Sequence, residues 1–213
     1  MLGNLNMIRL VILIFSLSYV GTTTAEYDGQ YGPYDYTNPI HFQKYLPVVE
    51  RYHFSQKVER EFQGMAGYFL DDLHYVLRAF PNHHRALNTL SRYWLPYLRS
   101  NSLPKYFPDP TQTPDYWFNK AMDFAPHDGV VPMLYAIHFH RLGKYSAALE
   151  QYKEALKIIP DNIELHYNLG LLYSDMQEYE LALTHAHKAY AAGHQLPGLR
   201  LKLERAGKWK DLK

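Results

Sequence analysis

The stretch GKYSAALEQYKEALKIIPDN, residues 143–162, decides the reading of the fold. Ala148, Tyr152, Ala155 and Pro160 follow one another at intervals of four, three and five, so the first three share one helical face and the proline stops the helix. Upstream, Tyr135, Ala136 and Phe139 supply a first helix that pairs with this one. A shift of 34 residues brings the pattern back: Leu169, Gly170 and Tyr173 replace Tyr135, Ala136 and Phe139, while Tyr179, Ala182, Ala186 and Ala189 replace Tyr145, Ala148, Tyr152 and Ala155. Shifted the other way, Pro126 stands 34 residues before Pro160, with Phe118 and Ala121 at the matching places. A fixed period of this length is the mark of stacked helical repeats.

Small residues (Ala136, Gly170, Ala148, Ala182) fall where two helices cross closely, and Phe139, Tyr173 and Tyr152 fill the adjoining gaps. The chain resembles the tetratricopeptide repeat (TPR) family, most closely over two units from about residue 129 to 195. It also resembles small exported bacterial repeat proteins that pair a Tyr-rich start with an FPNHHRAL junction (Phe80–Leu87). The resemblance implies an all-α fold, a short right-handed superhelix of antiparallel helix pairs with an irregular N-terminal arm and a C-terminal capping helix.

The unit between Pro81 and Pro126 is 45 residues long, 11 more than the period. The surplus lies in a proline-rich loop at about 99–113, where Pro104, Pro108 and Pro110 exclude a helix until Pro114 opens the next. An insertion on one face of a solenoid is either a binding loop or a tolerated surface excursion. The three junctions PNHH, PHDG and PDNI, at Pro81, Pro126 and Pro160, lie over one another. Asn82, Asp128 and Asp161 or Asn162 are then the expected helix caps. His83 and His84 would occupy the first turn of the following helix, where His83 is expected to be dispensable.

The outer segments divide the 213 residues further. Arg9, the apolar run Leu10–Val20 and the small residues Thr23 and Ala25 predict a secretory signal over 1–25. Residues 26–54 read as a Tyr-rich extended arm that packs on the domain, and 55–195 as the helical repeats. Ser55 is expected to cap the first helix and Gly64 to end it. Residues 196–213 read as a capping helix with Leu199, Leu203 and Ala206 on its inner face.

Twenty-two basic and 21 acidic residues create no field that would draw the chain to nucleic acid, and without cysteine it holds no disulfide or thiolate metal site. Export without cysteine points to a bacterial periplasm. No Gly-rich phosphate loop, Gly-x-Ser-x-Gly elbow or HExxH motif occurs. The pairs His83/His84, His138/His140 and His185/His187 lack the i, i+3 or i+4 spacing that puts two imidazoles on one helical face. No catalytic residue, metal ligand or cofactor is expected, and no membrane span after signal cleavage.

In the family the first helices of each pair line a groove. That places a partner-binding groove on Arg85, Asn88, Arg92, Met133, Ile137, His140, Tyr167 and Leu171, suited to a peptide with an acidic end and apolar anchors. The expected role is a non-catalytic periplasmic protein–protein adaptor in an envelope, secretion, pilus or polysaccharide assembly. The alternative is a histidine-based metal or haem handling protein, and an enzyme is the lesser reading.

Overall fold

The computed structural model describes residues 31–107, 109 and 111–211. The expected signal segment lies outside them. Among the described residues every regular element is a helix, and no described helix is long and apolar enough to cross a membrane.

The two well-matched units form helix pairs. Helices α7 (Val130–Arg141) and α8 (Tyr145–Ile158) make one, α9 (Ile163–Asp175) and α10 (Tyr179–Ala191) the next. These two pairs have the most extensive helix–helix contacts in the chain. Ala136, Ala148, Tyr152 and Ala155 are fully buried, as are Ala182, Ala186 and Ala189. The small side chains therefore do sit where the helices cross. A β-carbon on Gly170 would lie 2.5 Å from Cδ2 of Leu199, so this position also sets how closely the last helix approaches.

Both intra-pair turns share one geometry. Gly143 and Gln177, one period apart, take φ of 73° and 63°. Lys144 N–H donates to the Phe139 carbonyl at 3.0 Å, and Glu178 N–H to the Tyr173 carbonyl at 2.8 Å. This six-to-one bond over a left-handed residue closes the carbonyl end of the first helix.

N-terminal to the pairs lie α4 (Phe69–Ala79), α5 (His84–Ser100) and α6 (Pro114–Phe124). The inserted loop separates α5 from α6, and α5 packs on α7. Trp94, Trp117, Phe118 and Phe80 are buried in the core of this half. At the C-terminus α11 (Gly198–Arg205) packs on α9, burying Leu199 and Leu203 while Ala206 is exposed.

Three expectations are corrected. Residues 39–53, read as extended arm, form α1 (Pro39–Lys44) and α2 (Leu46–His53). Asn38 caps α1, accepting from Ile40 N–H at 2.9 Å, and Pro39 starts it. The Tyr/Gly/Pro composition masked this short capped helix. In the second, α3 (Gln56–Glu61) ends at Phe62, which takes φ of 55°, rather than at Gly64; Ser55 makes no cap bond.

The third correction concerns the PNHH junction. His83 rather than Asn82 caps α5, its Nδ1 accepting from Ala86 N–H at 3.1 Å. Asn82 is fully buried and turned to the N-terminal segment, accepting from Tyr36 N–H at 2.9 Å and donating to Asp35 at 2.8 Å. At the third junction Asn162 caps α9 as expected, accepting from Leu165 N–H at 2.9 Å. At the second the N-cap of α7 is Gly129 rather than Asp128, although Asp128 still accepts from Val130 N–H at 3.1 Å.

Candidate partner-binding groove

Residues of α7 and α9, with the end of α5, enclose a groove of about 470 Å³. Ile137 and His140 enter from α7; Asn168, Leu171 and Asp175 enter from α9; Arg99 comes from α5. The spacings 137/140 and 168/171/175 follow the helical period, so each set lies on one face. Gly143 and Tyr145 of the intra-pair turn close one end.

The charge of the groove is unevenly compensated. Asp175 accepts from His140 Nε2 at 3.0 Å and is also bound by Lys202 of α11. Burial works to raise the Asp175 carboxyl, but those two hydrogen bonds outweigh it and hold it below the usual carboxylate range. Arg99 donates to the Arg141 carbonyl at 2.6 Å, and Arg141 donates to Asn88 Oδ1 at 3.0 Å. Burial, followed by the charge of Arg92, draws Arg141 below the ordinary guanidinium value. Neither arginine hydrogen-bonds a carboxylate within this set, whereas the groove's acid is already engaged. The groove therefore combines two aliphatic side chains with excess positive charge.

Of the eight residues assigned from sequence, Ile137, His140 and Leu171 meet in this groove. Asn88 reaches its edge only through Arg141. Met133 is buried among Ala136, Ala148 and Leu165. Tyr167 is buried too, its ring stacked 3.8 Å from that of His194. These two point into the helix stack rather than out of it. Arg85 and Arg92 face α3: Arg85 pairs with Glu59 and Glu50, and Arg92 donates to the Glu59 carbonyl at 3.4 Å. The extra N-terminal helix occupies the face that a groove would need there.

The sequence reading missed Arg99, Arg141, Asn168 and Asp175. Asn168 and Asp175 were detectable, since they flank Leu171 at i−3 and i+4. Arg99 was hidden because its approach depends on how α5 crosses α7.

The histidines are engaged elsewhere. His138 is buried and within 2.9 Å of Ser91 Oγ; His166 and His185 bring their Nδ1 atoms to 2.9 Å; His187 Nε2 meets the Lys210 carbonyl at 2.7 Å. Among the described residues no group of three or more histidine, aspartate or glutamate side chains is arranged to hold a metal ion.

An all-helical chain of packed helix pairs with a groove along its first helices defines a helical-repeat scaffold. A family model for the TPR repeat matches residues 138–177, from within α7 to the turn after α9, so this segment is similar to a tetratricopeptide repeat. A repeat of this kind suggests a surface for protein–protein interaction. No curated protein matches the chain.

Proposed function

We propose that the chain is a non-catalytic adaptor that holds an extended segment of a partner protein in the α5/α7/α9 groove. The observation that carries this reading is the groove's own pairing. Asp175 is already engaged by His140 and Lys202, which leaves Arg99 and Arg141 to favour an acidic end beside the apolar Ile137 and Leu171. The partner therefore carries a carboxylate next to one or two aliphatic anchors. Arg9, the apolar run Leu10–Val20 and the Thr23/Ala25 pair support an exported protein, and the lack of cysteine suits the bacterial periplasm. An envelope, secretion, pilus or polysaccharide assembly is the setting in which such an adaptor would act.

The test is site-specific photo-crosslinking in the native host from positions 168 and 171, with Leu171→Asp as the disrupting variant. One partner band at both positions, lost in Leu171→Asp while the helical circular-dichroism spectrum is kept, supports the reading. Equal crosslinking from an exposed control site, such as Leu181, would overturn it. N-terminal sequencing of the native protein checks export: a start near Glu26 is expected.

A further inference from the structure

A second cleft, of about 610 Å³, lies between the α3–α4 turn, α5 and the inserted loop. It shares no lining residue with the α5/α7/α9 groove. Its floor is aromatic: Phe69 and Tyr93 have ring centroids 4.6 Å apart, Phe62 and Tyr93 5.7 Å, Tyr93 and Tyr97 5.5 Å. One wall is Tyr68 of the turn stacked on Tyr106 of the inserted loop, at 3.6 Å and 11°. Lys57 and Lys105 also line it, and the lining contains no aspartate or glutamate.

Two features indicate a built surface. Phe62 takes a left-handed φ of 55°, a conformation a bulky residue adopts only when its surroundings impose it. It thereby joins the aromatic floor. Tyr106 donates its hydroxyl to Asp71 at 3.1 Å, which holds the ring in its stacked position before any ligand arrives. Nevertheless Tyr68 stays 58% exposed, and both lysines are exposed. Among the described residues neither Lys57 nor Lys105 forms an ion pair, so both charges face the cleft uncompensated by a carboxylate.

We propose that this cleft binds an extended, proline-containing peptide segment bearing acidic side chains. The chemistry of the lining selects it. Flat tyrosine faces match pyrrolidine rings, and a polyproline-II chain enters an aromatic groove with little entropy left to lose. Its backbone offers carbonyl acceptors and few N–H donors, which suits the Gln63 amide and two ammonium groups of the lining. The lysines then select carboxylates over cationic sequences. The inserted loop, which the repeat period does not need, builds one wall of this site.

The test is binding of an acetylated, amidated hexapeptide of alternating proline and aspartate to the full chain, followed by amide chemical shifts. Its counterpart with lysine in place of aspartate, and an oligogalacturonate, serve as comparison ligands. Saturable binding of the acidic peptide is expected, with shifts confined to residues 57–70 and 93–106. Lys57→Glu and Lys105→Glu should each weaken it about fivefold, and Tyr68→Ala about tenfold. These side chains are exposed, so melting temperatures should stay unchanged, as should crosslinking from position 171. Absence of saturable binding, or equal binding of the lysine peptide, would overturn the proposal. Tighter binding of the oligogalacturonate would overturn it in favour of an acidic sugar.

Discussion

Asn82 donates its side-chain amide to Asp128 at 2.9 Å, joining two repeat junctions that stand 46 residues apart. The same Asp128 oxygen lies 2.7 Å from His84 Nε2. Asn82 also reaches Asp35, which lies 2.9 Å from His127 Nε2, so one buried amide ties the N-terminal segment to both junctions. This is why the FPNHHRAL junction carries so many polar side chains: they latch the irregular N-terminal segment onto the first turns of the solenoid.

Asn82→Ala should therefore destabilise the whole chain. It leaves Tyr36 N–H without its acceptor and removes one of the hydrogen bonds to the buried Asp128, which keeps His84 and Val130 N–H. Each buried group left unpaired costs about 1–3 kcal/mol. Urea denaturation should show a lowered midpoint, and amide exchange should speed up at Tyr36.

His83→Ala is expected to cost between about 1 and 3 kcal/mol, through the lost cap and the orphaned Ala86 N–H. His83 is fully buried, with Nε2 3.1 Å from Glu50, which is why it is not dispensable as its first-turn place suggested. His127→Ala is the control, because that ring is 61% exposed. Equal melting temperatures for the two variants would contradict the capping role.

Gln177→Gly should stabilise the chain by up to about 1 kcal/mol. Gln177 holds the left-handed conformation that Gly143 holds one period earlier, and only glycine adopts it without steric cost. The gain is read as a higher midpoint in thermal unfolding.

Stability should fall as the pH drops from about 6.5 towards 4. His74 and His138 are buried, and burial lowers each from 6.5 to about 4. Between those values the unfolded chain binds protons that the folded chain refuses, so acid favours unfolding. Stability is full above about 6.5, and between there and 4 each histidine lowers it with a slope of up to about 1.4 kcal/mol per pH unit. His74→Leu should flatten the curve of melting temperature against pH in that window.

The repeat and its close crossings were legible in the sequence. A helix pair has a fixed period, and the crossing point tolerates only small side chains, so Ala136, Ala148, Gly170 and Ala182 announce themselves at 34-residue intervals. Asn162 was legible as a cap for a similar reason, since a cap is satisfied within three residues. The groove was legible only in its centre, at Ile137, His140 and Leu171.

What the sequence by itself determined was thus the helix pairs and the turns between them, because those depend on neighbours along the chain. The tertiary structure alone decided the rest. It turned Asn82 away from its own helix to a partner 46 residues off and gave the cap to His83. It buried Met133 and Tyr167, and it set α3 against Arg85 and Arg92. It also brought Tyr106 of the insertion onto Tyr68. Each of these outcomes depends on which of several chemically adequate partners lies closest after packing. That choice is made by helix crossings and by the path of irregular segments, and neither leaves a periodic trace in the order of residues.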